Sequence, residues 1–186
     1  NEIYVSVPAD GCIAVFDLDG NYLRSIGRQG SDDCEFKRPY GIFFDPISSL
    51  LVVADSGNRR IQIIRPEGNG TFVRQFGCFR LPTGVAMHPV TSQIFVCDLF
   101  ANSIGVYSKE GILQNQFGLL MYPHQLCLHS ETEQIFVGER GNYRVSVFST
   151  KGDFLRCFGS EGADEGQFRH PRGIAVHPLT GNIIVV

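Results

Sequence analysis

Short apolar runs of about five residues, each closed by Pro, Gly, Asp, Asn or Ser, follow one another along the whole chain. Residues 41–45, 50–54, 61–65 and 72–76 form one set of four such runs. The set returns at 84–88, 93–97, 104–108 and 113–117, and again at 125–129, 134–138, 145–149 and 154–158. Nowhere do apolar residues recur at the three-and-four spacing of an amphipathic helix, so the pattern predicts strands throughout.

The sets are copies of one unit. Each opens on Pro (Pro39-Tyr40-Gly41-Ile42, Pro82-Thr83-Gly84-Val85, Pro123-His124-Gln125-Leu126) and closes on Phe-Gly, with Gly77, Gly118 and Gly159 spaced evenly. A four-stranded sheet has two apolar faces and cannot bury them alone, so a repeat of this length predicts sheets packed radially. The expected fold is therefore all-β, a propeller with about four four-stranded blades present, at 1–27 (partial), 39–77, 82–118, 123–159 and 171–186 (partial), within one domain at 1–186. Residues 3–5 read as a second strand without a first, and 182–186 as a second without a third, so the expectation is a fragment cut within a blade at both ends.

Two stretches carry a family resemblance. Val53-Ala54-Asp55-Ser56-Gly57-Asn58-Arg59-Arg60-Ile61-Gln62 and Gly159-Ser160-Glu161-Gly162, followed by Gly166-Gln167-Phe168, Pro171 and Gly173-Ile174-Ala175-Val176, resemble NHL repeats. WD-type repeats have a similar period but carry Trp, and this chain has none. The resemblance implies a propeller of about six blades, like the one that ends tripartite-motif proteins and recruits their partners. It implies a ubiquitin-ligase parent whose RING, B-boxes and coiled coil lie outside these residues.

Composition narrows the function classes. Of 186 residues, 43% are hydrophobic and 19% charged, as in globular proteins, and no apolar run approaches the roughly 18 residues of a membrane helix. With 16 basic against 19 acidic residues there is no global field to draw in a polyanion. Residues 1–7 read as a strand and show no signal-peptide pattern. The six cysteines form no CxxC pair, which points to reduced thiols and a cytoplasmic protein without membrane association.

Candidate chemistry is sparse. An acid, Asn and Arg recur in one turn of two of the three complete copies: Asp55, Asn58 and Arg60, then Glu139, Asn142 and Arg144. Asp98 keeps the acid while Ala101 and Ser103 replace the other two. The expected role is a structural turn in which Asn takes the left-handed conformation and Arg pairs with the acid. His88, His129 and His177 end successive first strands and form the one histidine set with a metal-like placement. His88-Pro89 and His177-Pro178 suggest instead a solvent-facing variant of the Asp-Pro turn at Asp45. Gly-rich segments lead into strands rather than helices, which excludes a phosphate cradle, and there is neither a G-x-S-x-G nor an HExxH. The reading is a chain that is not an enzyme, with no catalytic residue, metal, cofactor or small-molecule substrate; a metal-dependent lyase or lactonase-like propeller is the further alternative.

Recognition then falls to the face that gathers the inter-blade linkers and the turns between second and third strands. There Phe100 replaces the Gly57 and Gly141 of its siblings, and Phe79, Tyr122 and Tyr143 are further aromatic anchors for a protein partner. Arg59, Arg60, Arg140, Arg172, Tyr40, Tyr122 and Tyr143 also compose a basic and aromatic strip suited to single-stranded RNA, the alternative partner.

Overall fold

The computed structural model describes residues 2–186, and its regular structure is antiparallel β apart from one 3-10 turn, Ser56–Asn58, and a short parallel pair, Arg28–Gln29 with Glu35–Phe36. Three complete sheets each contain four strands in sequence order. They are Pro39–Asp45, Leu50–Asp55, Arg60–Arg65 and Thr71–Phe76; Pro82–Met87, Ile94–Asp98, Ser103–Tyr107 and Leu113–Phe117; and Pro123–His129, Gln134–Glu139, Arg144–Ser149 and Phe154–Phe158. A three-stranded sheet (Ile3–Val7, Cys12–Phe16, Tyr22–Ile26) precedes them and a two-stranded one (Ile174–Val176, Ile183–Val185) follows. These are up-and-down propeller blades, as the repeat predicts.

Burial explains the residue pattern of each strand. The third strand of a blade is covered on both faces, so 12–15, 61–64, 103–106 and 145–148 are buried without a break. The fourth strand is peripheral: every residue of Phe154–Phe158 is exposed. Between third and fourth strands the register shifts once, at Val15/Phe16, Ile63/Ile64, Val106/Tyr107 and Val147/Phe148. A bulge at the same place in four sheets gives each the same added twist.

The chain divides into two compact units, Asn1–Pro82 and Thr83–Val186. In the first, Ile13, Val15 and Ile26 of one sheet meet Leu51, Val53 and Ile64 of the next, with Phe36 of the linker completing the core. In the second, Phe136, Val145 and Val147 pack with Ile174, Phe168, Ile183 and Val185. First strands approach closely enough to need small residues. A Cβ on Gly84 would lie 2.8 Å from the Gln125 Cα, and Thr83 Oγ1 donates to the Pro123 carbonyl at 3.2 Å.

The glycine that closes each repeat, after Phe at 77, 118 and 159 and after Ile at 27, has a packing role. Gly27, Gly77, Gly118 and Gly159 all have φ between 74° and 92°. An added Cβ would run into Phe36, Phe79, Leu120 and Phe168 respectively. One bulky side chain therefore folds back over each closing glycine, whether the linker that brings it is short, as at Phe79, or long, as at Phe168.

Candidate recognition face

The acid that ends each second strand is the centre of its turn. Asp55 is fully buried and accepts from the Lys37 amide (2.7 Å), Asn58 Nδ2 (2.9 Å), Arg60 Nε (2.8 Å) and Gln62 Nε2 (3.2 Å). Glu139, also fully buried, accepts from the Met121 amide (2.9 Å), Asn142 Nδ2 (2.7 Å), Arg144 Nε (2.8 Å) and the Ser146 hydroxyl. In both blades the carboxylate joins the incoming linker, the turn and the third strand, and its charge is met by donors as burial demands. Asp98 receives the Ala101 amide at 3.2 Å. Two residues beyond Ser103, Gly105 leaves a space that the Tyr107 ring fills.

Three expectations change here. The left-handed residue of the turn is not the Asn but the one after it, Arg59 (φ 59°) and Tyr143 (φ 52°), because Asn58 and Asn142 are turned inward to the acid. Arg60 is no surface contact: its guanidinium is used by Asp55, Gln75 and the carbonyls of Asp32 and Glu35. Phe79 is 4% exposed, as the plug over Gly77, and is no anchor.

The histidines that end first strands also differ from expectation. His88 is buried, at 4% exposure, where a solvent-facing side chain was expected. Its Nδ1 accepts from the amides of Val90 (3.1 Å) and Thr91 (3.2 Å), and Nε2 meets Glu133 at 2.9 Å. His177 Nδ1 receives Thr180 N at 3.2 Å, and Asp45 receives Ile47 and Ser48 in the same way. The imidazole replaces the turn carboxylate. Among the described residues no group of three or more His, Cys, Asp or Glu is placed to hold a metal ion.

In the first unit Tyr40 accepts from Arg38 Nη2 at 2.9 Å, and Arg59, exposed, donates from Nε to the Phe79 carbonyl at 2.7 Å. In the second unit the linker 119–122 is clamped by its backbone. Leu120 N donates to Asn102 O (3.1 Å), Met121 N to Glu139, and Tyr122 N to Asn102 Oδ1 (3.2 Å). Gly141 N donates to Met121 O (3.0 Å) and Arg140 N to Tyr122 O (3.2 Å). Leu120 points inward, and Leu119, Met121 and Tyr122 are left exposed at 100%, 45% and 44%, with Phe100 at 54% on the adjoining turn. Leu119 and Met121 were missed in the sequence, where Leu119-Leu120-Met121 is an unbroken apolar run in a linker whose counterpart, Cys78-Phe79-Arg80-Leu81, is interrupted by Arg.

Beside this ledge the second unit carries positive charge. His124 is half-buried, and burial first, then the charges of Arg172 and Arg140, hold its imidazole below the usual histidine range, against a hydrogen bond with the Arg172 backbone. Arg140 and Arg172 make no side-chain hydrogen bond or ion pair among the described residues. Tyr143 meets His170 in a tilted ring contact, with centres 5.0 Å apart and planes 41° apart. Among the described residues no helix is long and apolar enough to cross a membrane.

No protein-family model and no curated protein matches the chain, so the NHL resemblance rests on the residues quoted above. Solved structures do match. A streptogramin B lyase superposes over 100% of the chain with a TM-score of 0.74 at 14% identity. The selenomethionine form of virginiamycin B lyase from Staphylococcus aureus gives 0.69 at 15% identity, also over the whole chain, and a catalytically inactive histidine-to-alanine variant of that enzyme with quinupristin gives 0.67. The chain spans 58% and 66% of the two lyases. The expectation that the chain is not an enzyme is corrected by this comparison: the fold is one on which lyases are built and gives no ground for a non-catalytic assignment. At such identities the likeness establishes one thing for this chain, that it is a β-propeller.

Proposed function

We propose that the chain is part of an NHL-type propeller that recruits a protein partner through the face of its linkers and second-to-third-strand turns, as in tripartite-motif proteins, in the cytoplasm. The observation that carries this is the clamped linker. Its amides at 120–122 are all bonded, so Leu119, Met121 and Tyr122, with Phe100 beside them, are exposed on a backbone that loses little entropy when a partner docks. Exposed apolar and aromatic side chains held in place are what an interface core needs. The second reading, single-stranded RNA on the same face, is favoured by Arg140 and Arg172, which lack counter-charges, and by the aromatic rings of Tyr143 and His170 beside them.

A photo-crosslinking residue installed at Phe100 or Leu119, and as control at Val90 on the opposite end of the same blade, separates these. A discrete polypeptide adduct at the first two, absent at Val90 and lost on adding Leu119→Asp to the Phe100 probe, supports protein recruitment. Adducts with RNA alone, or equal labelling at Val90, would overturn it.

A further inference from the structure

We propose that His124, Arg140 and Arg172 form a binding subsite for a single oxyanion, and that the partner reads as a short acidic and hydrophobic peptide whose carboxylate or phosphate enters this subsite while its apolar side chain lies on Leu119, Met121 and Tyr122. The proposal rests on the protein-recruitment reading and specifies the chemistry of the segment recruited.

Three chain segments build the subsite. His124 follows Pro123, which pairs with Glu139 across the first two strands of the blade, and Arg140 is the next residue beyond that pair. Between them Gly138 has no side chain. A Cβ there would lie 3.5 Å from the Pro171 carbonyl, so the chain leading to Arg172 passes over this glycine. The backbone of Arg172 is thereby brought into hydrogen-bonding contact with His124.

The charge balance is what points to a ligand. The arginine of the same turn is neutralised, Arg144 by Glu139, as its counterpart in the first unit, Arg60, is by Asp55. Arg140 and Arg172 flank a partly desolvated imidazole and have no carboxylate of their own. Like charges gathered around a histidine are unfavourable until an anion joins them, and an anion accepting from these groups gains charge-assisted bonds in a partly dehydrated place.

The setting favours one anionic group over a polyanion. The linker before Arg172 carries Glu161, Asp164 and Glu165, all exposed, and the surface beside His124 is the apolar ledge. An extended nucleic acid needs a continuous basic track. A peptide with an acidic residue next to an apolar one fits both halves: Arg140 N is bonded to Tyr122 O, and a Cβ on Gly141 would touch Met121 and Tyr122, so the ledge and the subsite are contiguous.

The test measures fluorescence anisotropy of the chain with three labelled peptide pools of the same degenerate apolar composition, whose fixed central residue is Glu, phosphoserine or Gln, and with a labelled oligo(U). Binding of the Glu or phosphoserine pool about tenfold tighter than the Gln pool is expected, with the preference removed by Arg140→Gln plus Arg172→Gln. Which of the two pools is preferred identifies the oxyanion. Equal binding of all pools, each weakened by Leu119→Asp, would overturn the subsite and keep the recruiting face. Indifference of every pool to Leu119→Asp, or no binding of any, would remove both. Oligo(U) bound more tightly than the Glu pool, with a steep loss in salt, would overturn the peptide in favour of RNA.

Discussion

The Gln62 amide donates to the Asp55 carboxylate at 3.2 Å, and seven residues after Glu139 the Ser146 hydroxyl occupies the same place. A short acid is matched with a long amide in one blade, and a long acid with a short hydroxyl in the other, so the buried space is filled alike. Asp55→Glu alone adds a methylene against a buried Gln62 and should cost about 1–3 kcal/mol. Adding Gln62→Ser should recover most of it, seen in urea unfolding as a double-mutant coupling above about 0.5 kcal/mol. Additive losses would show that the two positions do not share one space.

Phe79 and Phe100 are both linker-face phenylalanines with opposite expected phenotypes. Phe79 is packed over Gly77, so Phe79→Ala should destabilise by about 3–5 kcal/mol. Phe100→Ala and Leu119→Ala remove exposed surface and should shift stability by about 0.5 kcal/mol or less while weakening partner capture. Thermal unfolding of the three variants checks the ranking, and a large loss at Phe100 would assign it a packing role.

His124 should make stability depend on pH. Its folded pKa is lowered by burial and by Arg172 and Arg140, so between its ordinary value of 6.5 and the lower folded one the unfolded chain binds more protons. Stability is then complete above pH 6.5 and falls as the pH drops through that window. His124→Gln should flatten this part of the profile. Glu133, lowered by His88 and Thr150, acts in a separate range, losing its contribution as the pH falls below 4.5.

Thiol reactivity should follow burial. Cys78 and Cys157 are exposed and should be alkylated in the native chain within the first phase of a mass-spectrometric time course. Cys97 is buried and burial pushes its thiol well above the usual range, while Cys127 is pushed up to about 12, so both should react only after denaturation. Early labelling of Cys97 would mean that its blade opens.

The turn at Asp55, Asn58 and Arg60 was legible as a set, yet the inward use of Asn58 and the left-handed Arg59 were not, because the hydrogen-bond partner of each arrives from another segment. Phe79 and Phe100 look alike in sequence, each an aromatic residue in a segment between strands. Only the positive φ of Gly77 and the return of the linker over it distinguish the plug from the exposed side chain. His124 carried no signal of its own, since nothing local announces that the chain at Pro171 will cross Gly138 and bring Arg172 beside it.

Period, strand number and the buried third strand are local properties, set by which residues can lie in a sheet covered on both faces, and for this protein the sequence determined them. Which arginines are neutralised and which linker side chains remain exposed depend on contacts between residues tens of positions apart. Only the tertiary structure decided those, because charge compensation and burial belong to neighbours in space.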